Sequence, residues 1–414
     1  MAFDAAAQSG ITHFDTLIVG TGFAGLGMAI RLKQQGLNDF AILERAQEVG
    51  GTWRDNHYPG CACDVQSHLY SFSFEQNPDW SRMFAGQAEI RDYLRACADK
   101  YGLRPHLRFG ADVVAARWEE AAQRWQIQLG DGRHLSARVL VAGMGGLSNP
   151  AIPDLEGRED FAGIQFHSAQ WRHDVDLSGK RVAVIGTGAS AIQFVPEIRK
   201  QAARVDLYQR TPPWIVPKPD RSISALERRL FRRFPMLQNL YRKAIYWMLE
   251  SRVLGFTVDP RLMKLFEWVA RSHLRRQVSD PQLRAKLTPD YTIGCKRILI
   301  SNDWYPAISR DNVDVITDGI REIKPHSIVT ADGTEREIDV LIFATGFYAT
   351  DNPIAEVITG AQGQTLAEAW ADGEEAFLGV QVKHFPKYAP RGVIRSVIFK
   401  RNTPQAYYTR PEST

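Results

Sequence analysis

Asp15-Thr-Leu-Ile-Val19, then Gly20-Thr-Gly22-Phe-Ala-Gly25, then Leu26-Gly-Met-Ala-Ile30-Arg-Leu-Lys-Gln-Gln35, and finally Phe40-Ala-Ile-Leu-Glu44: this run decides the fold. An apolar segment, a glycine turn, an Ala/Leu/Ile-spaced stretch and a second apolar segment read as one strand-helix-strand unit. In that context Gly20 allows the tight turn, Gly22 lets backbone amides reach a pyrophosphate, and Gly25 lets helix and strand pack closely, with the helix N-terminus toward the phosphates. Glu44 lies 24 residues after Gly20 and can accept both hydroxyls of a ribose. A free 2′-hydroxyl beside a carboxylate specifies FAD or NAD and disfavours NADP.

Working outward, residues 180–211 repeat the plan: Arg181-Val-Ala-Val-Ile185, Gly186-Thr-Gly188-Ala-Ser190-Ala191, a helix through about Ala202, and a strand ending at Gln209. Arg210 and Thr211 follow, and no carboxylate stands there. Arg210 can pair bidentately with a 2′-phosphate that a carboxylate would repel, so this site prefers NADPH. Gly186, Gly188, Ser190, Arg210 and Thr211 are its expected contacts. Two further strands, Val139–Gly143 and Val340–Gly346, bracket this second unit. The expected class is α/β with two Rossmann-like domains, the second inserted into the first. Residues 1–150 and 345–414 make the FAD-binding domain, residues 151–213 and 291–344 the NADP-binding domain, and residues 214–290 a helical insert, with crossings near 143–153 and 340–350.

The insert has no glycine turns, and Leu226, Leu230, Phe234, Leu237, Leu240, Tyr241, Ile245 and Met248 recur at helical spacing. Residues 220–290 carry 15 Lys/Arg against 7 Asp/Glu. The plain reading is a solvated basic face over a cleft; a peripheral membrane contact is the alternative.

Length and composition agree with a globular chain of two or three domains. The 414 residues are 44% apolar and 24% charged, and 51 Lys/Arg against 47 Asp/Glu leave a formal charge of only +4, no general footprint for nucleic acid. Four cysteines, Cys61, Cys63, Cys97 and Cys295, with no Cys-x-x-Cys pair, suggest neither a disulfide framework nor a zinc site, so no metal is expected. The N-terminus lacks signal-peptide character, and the longest uncharged runs, of fifteen residues, are broken by Gly or Pro, so a cytoplasmic setting is expected.

An FAD site and an NADPH site in one chain imply a flavoenzyme in which hydride passes from nicotinamide to flavin. A disulfide acceptor would need a suitable cysteine pair, and Cys61-Ala-Cys63 is too close for an easy unstrained bridge in extended chain. Oxygen is the favoured acceptor.

Phe161-Ala-Gly163-Ile-Gln-Phe-His167-Ser-Ala-Gln-Trp171, placed just before the second nucleotide unit, resembles the fingerprint of the Baeyer-Villiger monooxygenases, F-x-G-x-x-x-H-x-x-x-W. Flavin-containing monooxygenases carry Phe or Tyr where Trp171 stands, and the Arg172 that follows departs from the Pro or Asp common in the family. Gly50-Gly51-Thr52-Trp53, Tyr58-Pro59-Gly60, Cys63-Asp64, Gln209-Arg210-Thr211-Pro212, Gly294-Cys-Lys296-Arg297 and Phe343-Ala-Thr-Gly346-Phe347 extend the resemblance from about residue 15 to Pro386.

That resemblance implies an NADPH- and O2-dependent oxidation of ketones to esters or lactones through a C4a-peroxyflavin. It sets Asp64 and Arg297 against the flavin as the catalytic pair, Lys296 on the NADP 2′-phosphate, and Gly51, Thr52 and Trp53 among the FAD contacts. Arginine suits the role because it stabilises a peroxide or oxyanion without giving up a proton. His167 is implied to couple domain positions and Trp171 to pack at their junction. The alternatives are oxygenation of nitrogen or sulfur, and a noncatalytic flavoprotein fragment.

After Phe377-Leu-Gly-Val380 the family pattern stops. Its Gly-Pro-Asn segment is missing, and Lys383 to Thr414 carry seven Lys/Arg and one acid, Glu412. The switch near Pro386 reads as a changed reading frame or truncated gene, which resequencing of the locus would check. Residues 387–414 form an atypical tail, the stretch from Lys383 is expected to be less ordered than the rest, and poor FAD retention follows if the tail supplies no flavin contacts.

Overall fold

The computed structural model describes residues 11–251, 253, 255, 261, 263–348, 353–377 and 381–389. Its strands are β1 (Thr12–Val19), β2 (Phe40–Glu44), β3 (Leu107–Phe109), β4 (Val113–Glu119), β5 (Arg124–Leu129), β6 (His134–Ala142), β7 (Ile164–His167), β8 (Arg181–Ile185) and β9 (Arg204–Tyr208). There follow β10 (Ile215–Val216), β11 (Leu299–Ile300), β12 (Val313–Ile316), β13 (Ile320–Lys324), β14 (Ser327–Thr330), β15 (Glu335–Glu337), β16 (Val340–Phe343), β17 (Ile358–Thr359) and β18 (Tyr388–Ala389).

One sheet runs β17-β4-β5-β6-β1-β2-β3, with β18 joining β6 where β5 ends. A second, all-parallel sheet runs β12-β9-β8-β16-β7. The chain therefore leaves the first sheet after Ala142, builds the second from β7 through β16, and returns through β17 and β18. Strands buried on both faces explain the near-continuous apolar runs: β2 is buried throughout, as is β16. Both sheets are of the nucleotide-binding doubly wound type, each with a glycine turn after a central strand.

Between β9 and β12 lie the helices of the insert. The capping box of Ser224 with Glu227 starts helix Ala225–Arg233, and Pro235 at its first turn starts the next helix, Pro235–Glu250. A third helix spans Met263–Gln277. The insert touches the first unit directly: Met83 N–H donates to Arg221 O at 2.9 Å and Ile223 N–H to Ser81 O at 2.9 Å.

The expectation of poor order from Lys383 onward fails for residues 383–389. Phe385 and Tyr388 are buried, Trp125 Nε1 donates to Pro386 O at 2.9 Å, and β18 pairs in parallel with β6. The reason is apolar spacing within an otherwise basic stretch: two aromatic rings find the Trp125 side of the first sheet. The rest of that expectation falls on residues 390–414, which lie outside the described residues.

Candidate functional site

Helix Phe23–Gln34 lies against β1 because position 25 has no side chain. A Cβ on Gly25 would stand 1.8 Å from Gly20 O, which no repacking could relieve. Gly22 starts this helix, and a Cβ there would meet nothing nearer than Gly51 Cα at 3.8 Å, so the helix N-terminus is open on that side. Beside it lies a cavity of about 420 Å³, lined by Gly20, Gly22, Glu44, Gly51, Thr52 and Trp53 among others. The open cavity, the helix N-terminus and the carboxylate at the end of β2 fit an adenine dinucleotide.

Glu44 is buried, and its oxygens are engaged within the protein. Thr21 N–H (3.1 Å) and Thr21 Oγ1 donate to Oε2, while Ala46 N–H (3.0 Å) and Arg54 Nη1 (3.0 Å) reach Oε1. A carboxylate offers about four lone-pair positions. A ribose hydroxyl therefore has to share with or displace one of these donors, a constraint the sequence did not reveal.

Trp53 is buried on the cavity wall, and its Nε1 donates to Tyr70 Oη at 3.0 Å. Asp64 lies six residues before Tyr70, and its Oδ2 accepts from Arg297 Nη2, bringing together side chains 233 residues apart. With Arg297 62% and Asp64 28% exposed, this pair adds little to stability and instead fixes the direction of a solvent-facing guanidinium. Neither side chain borders the cavity itself, but both act electrostatically on Tyr70, whose phenol is pushed upward first by burial.

In the second unit, Gly186–Ser190 precede helix Ala191–Ile198, and Thr187 Oγ1 donates to Thr211 O at 3.3 Å. The exposed Arg210 stands next to that contact. Tyr291 Oη donates to Pro212 O at 3.2 Å, and Lys296 Nζ lies 4.8 Å from the Tyr291 ring centre. Lys296 and Arg210 thus flank one short segment beside the second glycine turn, an arrangement suited to a phosphate.

Of the fingerprint residues, Phe161 and Gly163 pack within the second unit and Trp171 reaches the first through Tyr58. Trp171 packs against Phe166, Phe194 and Tyr58, with ring centres 5.2, 5.1 and 6.5 Å away. Tyr58 Oη donates to Gln193 Oε1 at 3.0 Å, and Gln193 Nε2 donates to Ala62 O at 2.9 Å, so the second unit's first helix grips the loop that leads to Asp64. Gly163 is required by crowding: a Cβ would meet Phe161 Cζ at 2.5 Å and Asp339 O at 2.6 Å. His167 is fully buried, its Nδ1 accepts from Ala169 N–H at 3.1 Å, and burial lowers its pKa to about 4. Such an imidazole is neutral near pH 7 and has no surface open to solvent.

Cys61 and Cys63 are unpaired to each other, and burial pushes both thiols up to about 12. Thiolate chemistry at this pair is suppressed. Among the described residues no cluster of His, Cys, Asp and Glu suits a metal ion, and no helix is long and apolar enough to cross a membrane. Arg54, Tyr70 and Gln193 were missed by sequence reasoning, because none carries a local pattern and their partners, Glu44, Trp53 and residues 58–62, are brought to them by the fold.

A family model described as pyridine nucleotide-disulphide oxidoreductase matches residues 17–246. A Baeyer-Villiger monooxygenase of Pseudomonas aeruginosa is 56% identical over 374 residues, covering 90% of this chain and 71% of that protein. One from Streptomyces coelicolor is 51% identical over 376 residues, covering 91% and 72%. Among solved structures, cyclohexanone monooxygenase from Rhodococcus sp. Phi1 bound to NADP+ superposes with a TM-score of 0.84 at 27% identity, covering 94% of this chain and 83% of that one. OTEMO in complex with FAD and NADP gives 0.81 at 29% identity, with 91% and 80% covered.

The buried histidines set a pH dependence. Burial lowers His68 and His167 from 6.5 to about 4. The unfolded chain binds the extra protons between these values, so folding stability falls as pH drops from about 6.5 toward 4. Urea unfolding should show a lower midpoint at pH 5 than at pH 7.5; an unchanged midpoint across that window contradicts the assignment.

Proposed function

The chain belongs to the Baeyer-Villiger monooxygenase family, and we propose that it is an FAD-dependent enzyme converting ketones to esters or lactones with NADPH and O2. One oxygen atom enters between the carbonyl carbon and a migrating carbon; the other leaves as water, and NADPH with a proton becomes NADP+. The observation that carries this reading is the ion pair of Asp64 with Arg297, which acts electrostatically on Tyr70, a residue of the cavity wall.

Bound flavin supplies hydride acceptance from nicotinamide and activation of dioxygen. The residues that would hold it are Gly20, Gly22, Gly25, Glu44, Gly51, Thr52 and Trp53. Gly186, Gly188, Ser190, Arg210, Thr211 and Lys296 would hold NADPH, with Arg210 and Lys296 on the 2′-phosphate. The Arg297 guanidinium would stabilise an anion at the substrate carbonyl oxygen by charge and hydrogen bonding, the role for which arginine is suited. Asp64 Oδ2 holds one Nη of that guanidinium and limits how it turns. Phe161, Gly163, His167 and Trp171 serve the junction that sets one site against the other. Four free cysteines suit a cytoplasmic setting.

Peripheral contact with an anionic lipid surface is the second element of the proposal. Helix Pro235–Glu250 buries Gln238 and Arg242 while Met236, Leu240 and Trp247 face outward, and Trp247 and Trp268 are 66% and 65% exposed. Exposed apolar side chains beside Lys243, Lys264 and Arg229 match a negatively charged interface.

Two outcomes are expected. FAD-loaded protein given NADPH and a panel of ketones and sulfides yields ester by mass spectrometry, and Arg297→Ala lowers ester formation about 100-fold or more while flavin reduction by NADPH changes only slightly. Sulfoxide without ester from any ketone, or equal loss of both steps, refutes the assignment. In cosedimentation, the chain pellets with vesicles of phosphatidylserine and phosphatidylcholine but not with phosphatidylcholine alone, and Trp247→Asp reduces pelleting; no pelleting with either vesicle removes the lipid contact.

A further inference from the structure

Helix Pro235–Glu250 buries two polar side chains, Gln238 and Arg242, alongside Ile245. Arg242, at 7% exposure, and Gln238, one turn earlier, are both buried against the loop that follows Asp64. Arg242 Nη1 donates to His68 O at 2.8 Å, to Leu69 O at 2.8 Å and to Ser71 Oγ at 3.1 Å, and its Nη2 donates to Ser71 O at 3.2 Å. Gln238 Nε2 donates to Asn77 O at 2.7 Å and lies 3.2 Å from His68 Nδ1. The His68 ring is wedged edge-on against Phe231 and Tyr241, at 5.0 and 5.5 Å.

What this grip holds is Tyr70. Its neighbours on both sides, Leu69 and Ser71, give their carbonyl oxygens to Arg242, so the loop has little freedom to turn its phenol elsewhere. Tyr70 Oη accepts from Trp53 Nε1 at 3.0 Å, its ring meets Phe23 edge-on at 5.1 Å, and Tyr70 and Trp53 both line the dinucleotide cavity. A buried guanidinium is costly to desolvate, and a well-packed apolar side chain of similar volume is often no less stable. Multidentate donation to successive carbonyls adds what an apolar side chain lacks, a fixed loop geometry.

We infer that Arg242 is a positioning residue: from the helical insert it fixes loop 68–71, and through Tyr70 and Trp53 it shapes the wall of the flavin cleft. This rests on the FAD reading above. The insert is thereby coupled to the flavin site, so a displacement of helix Pro235–Glu250 is transmitted to Tyr70.

The test uses the full chain and FAD titration followed by flavin fluorescence, with urea midpoints measured on every variant. Arg242→Met should raise the FAD dissociation constant about tenfold or more, a loss of charge-assisted hydrogen bonding. It should also change the fluorescence yield of bound flavin, while NADP+ affinity stays within about twofold. Arg242→Lys should restore part of the flavin signature. If Arg242→Met does not fold, Arg242→Lys and Tyr70→Phe decide: both should shift bound-flavin fluorescence in the same direction, and their effects should not add, because they act on one chain of contacts. Unchanged FAD affinity and fluorescence in the folded Arg242 variants, with the wild type binding FAD normally, overturns the positioning role alone. A wild-type chain that takes up no FAD overturns the flavin reading and this inference with it.

Discussion

Everything in this protein hangs on how closely backbone may approach backbone at Gly25. With Gly20 O sitting where any Cβ at position 25 would go, helix Phe23–Gln34 settles on β1 with its N-terminus beside the cavity. That placement brings Glu44, Trp53 and the Gly50–Trp53 turn to one space. A side chain at position 25 would push the helix away and separate these groups together, whatever their own chemistry.

The second dependency is between units. Gln193 of the inserted unit takes both a hydroxyl and a backbone carbonyl from residues 58–62, and Trp171 fills the gap between Tyr58 and Phe194. The loop so held continues into Asp64, where Arg297 arrives from the other side of the inserted unit. Residues 58–71 are thus fastened by Gln193, Arg297 and Arg242 in turn. Electron transfer between two cofactors demands a fixed relation between their sites, and this loop is where the second unit and its insert converge on the first.

The sequence made the periodic features legible. Both glycine turns, the two sheets they belong to and the helical character of the insert follow from local pattern, because turn and burial constraints act over a few residues. Arg54 on Glu44, Gln193 on Ala62 and Arg242 on loop 68–71 were not legible, since each is a single polar side chain whose partner is set by tertiary packing. The stretch 383–389 was misread for a related reason. Its basic composition suggested poor order, yet Phe385 and Tyr388 seat it against β6 and Trp125. Helix Pro235–Glu250 shows the same limit in reverse: its apolar periodicity was visible, but the face turned inward is the one bearing Gln238 and Arg242.

The central claim is that this chain uses NADPH to place one atom of dioxygen beside the carbonyl carbon of a ketone and to reduce the other atom to water. Isotope tracing tests it most directly: FAD-loaded protein is supplied with NADPH, a cyclic ketone and oxygen-18 gas, and the product is analysed by mass spectrometry. The account predicts a lactone carrying one labelled oxygen atom, formed in proportion to NADPH oxidised. NADPH oxidation that yields only peroxide, or a lactone whose new oxygen comes from unlabelled water, would contradict it.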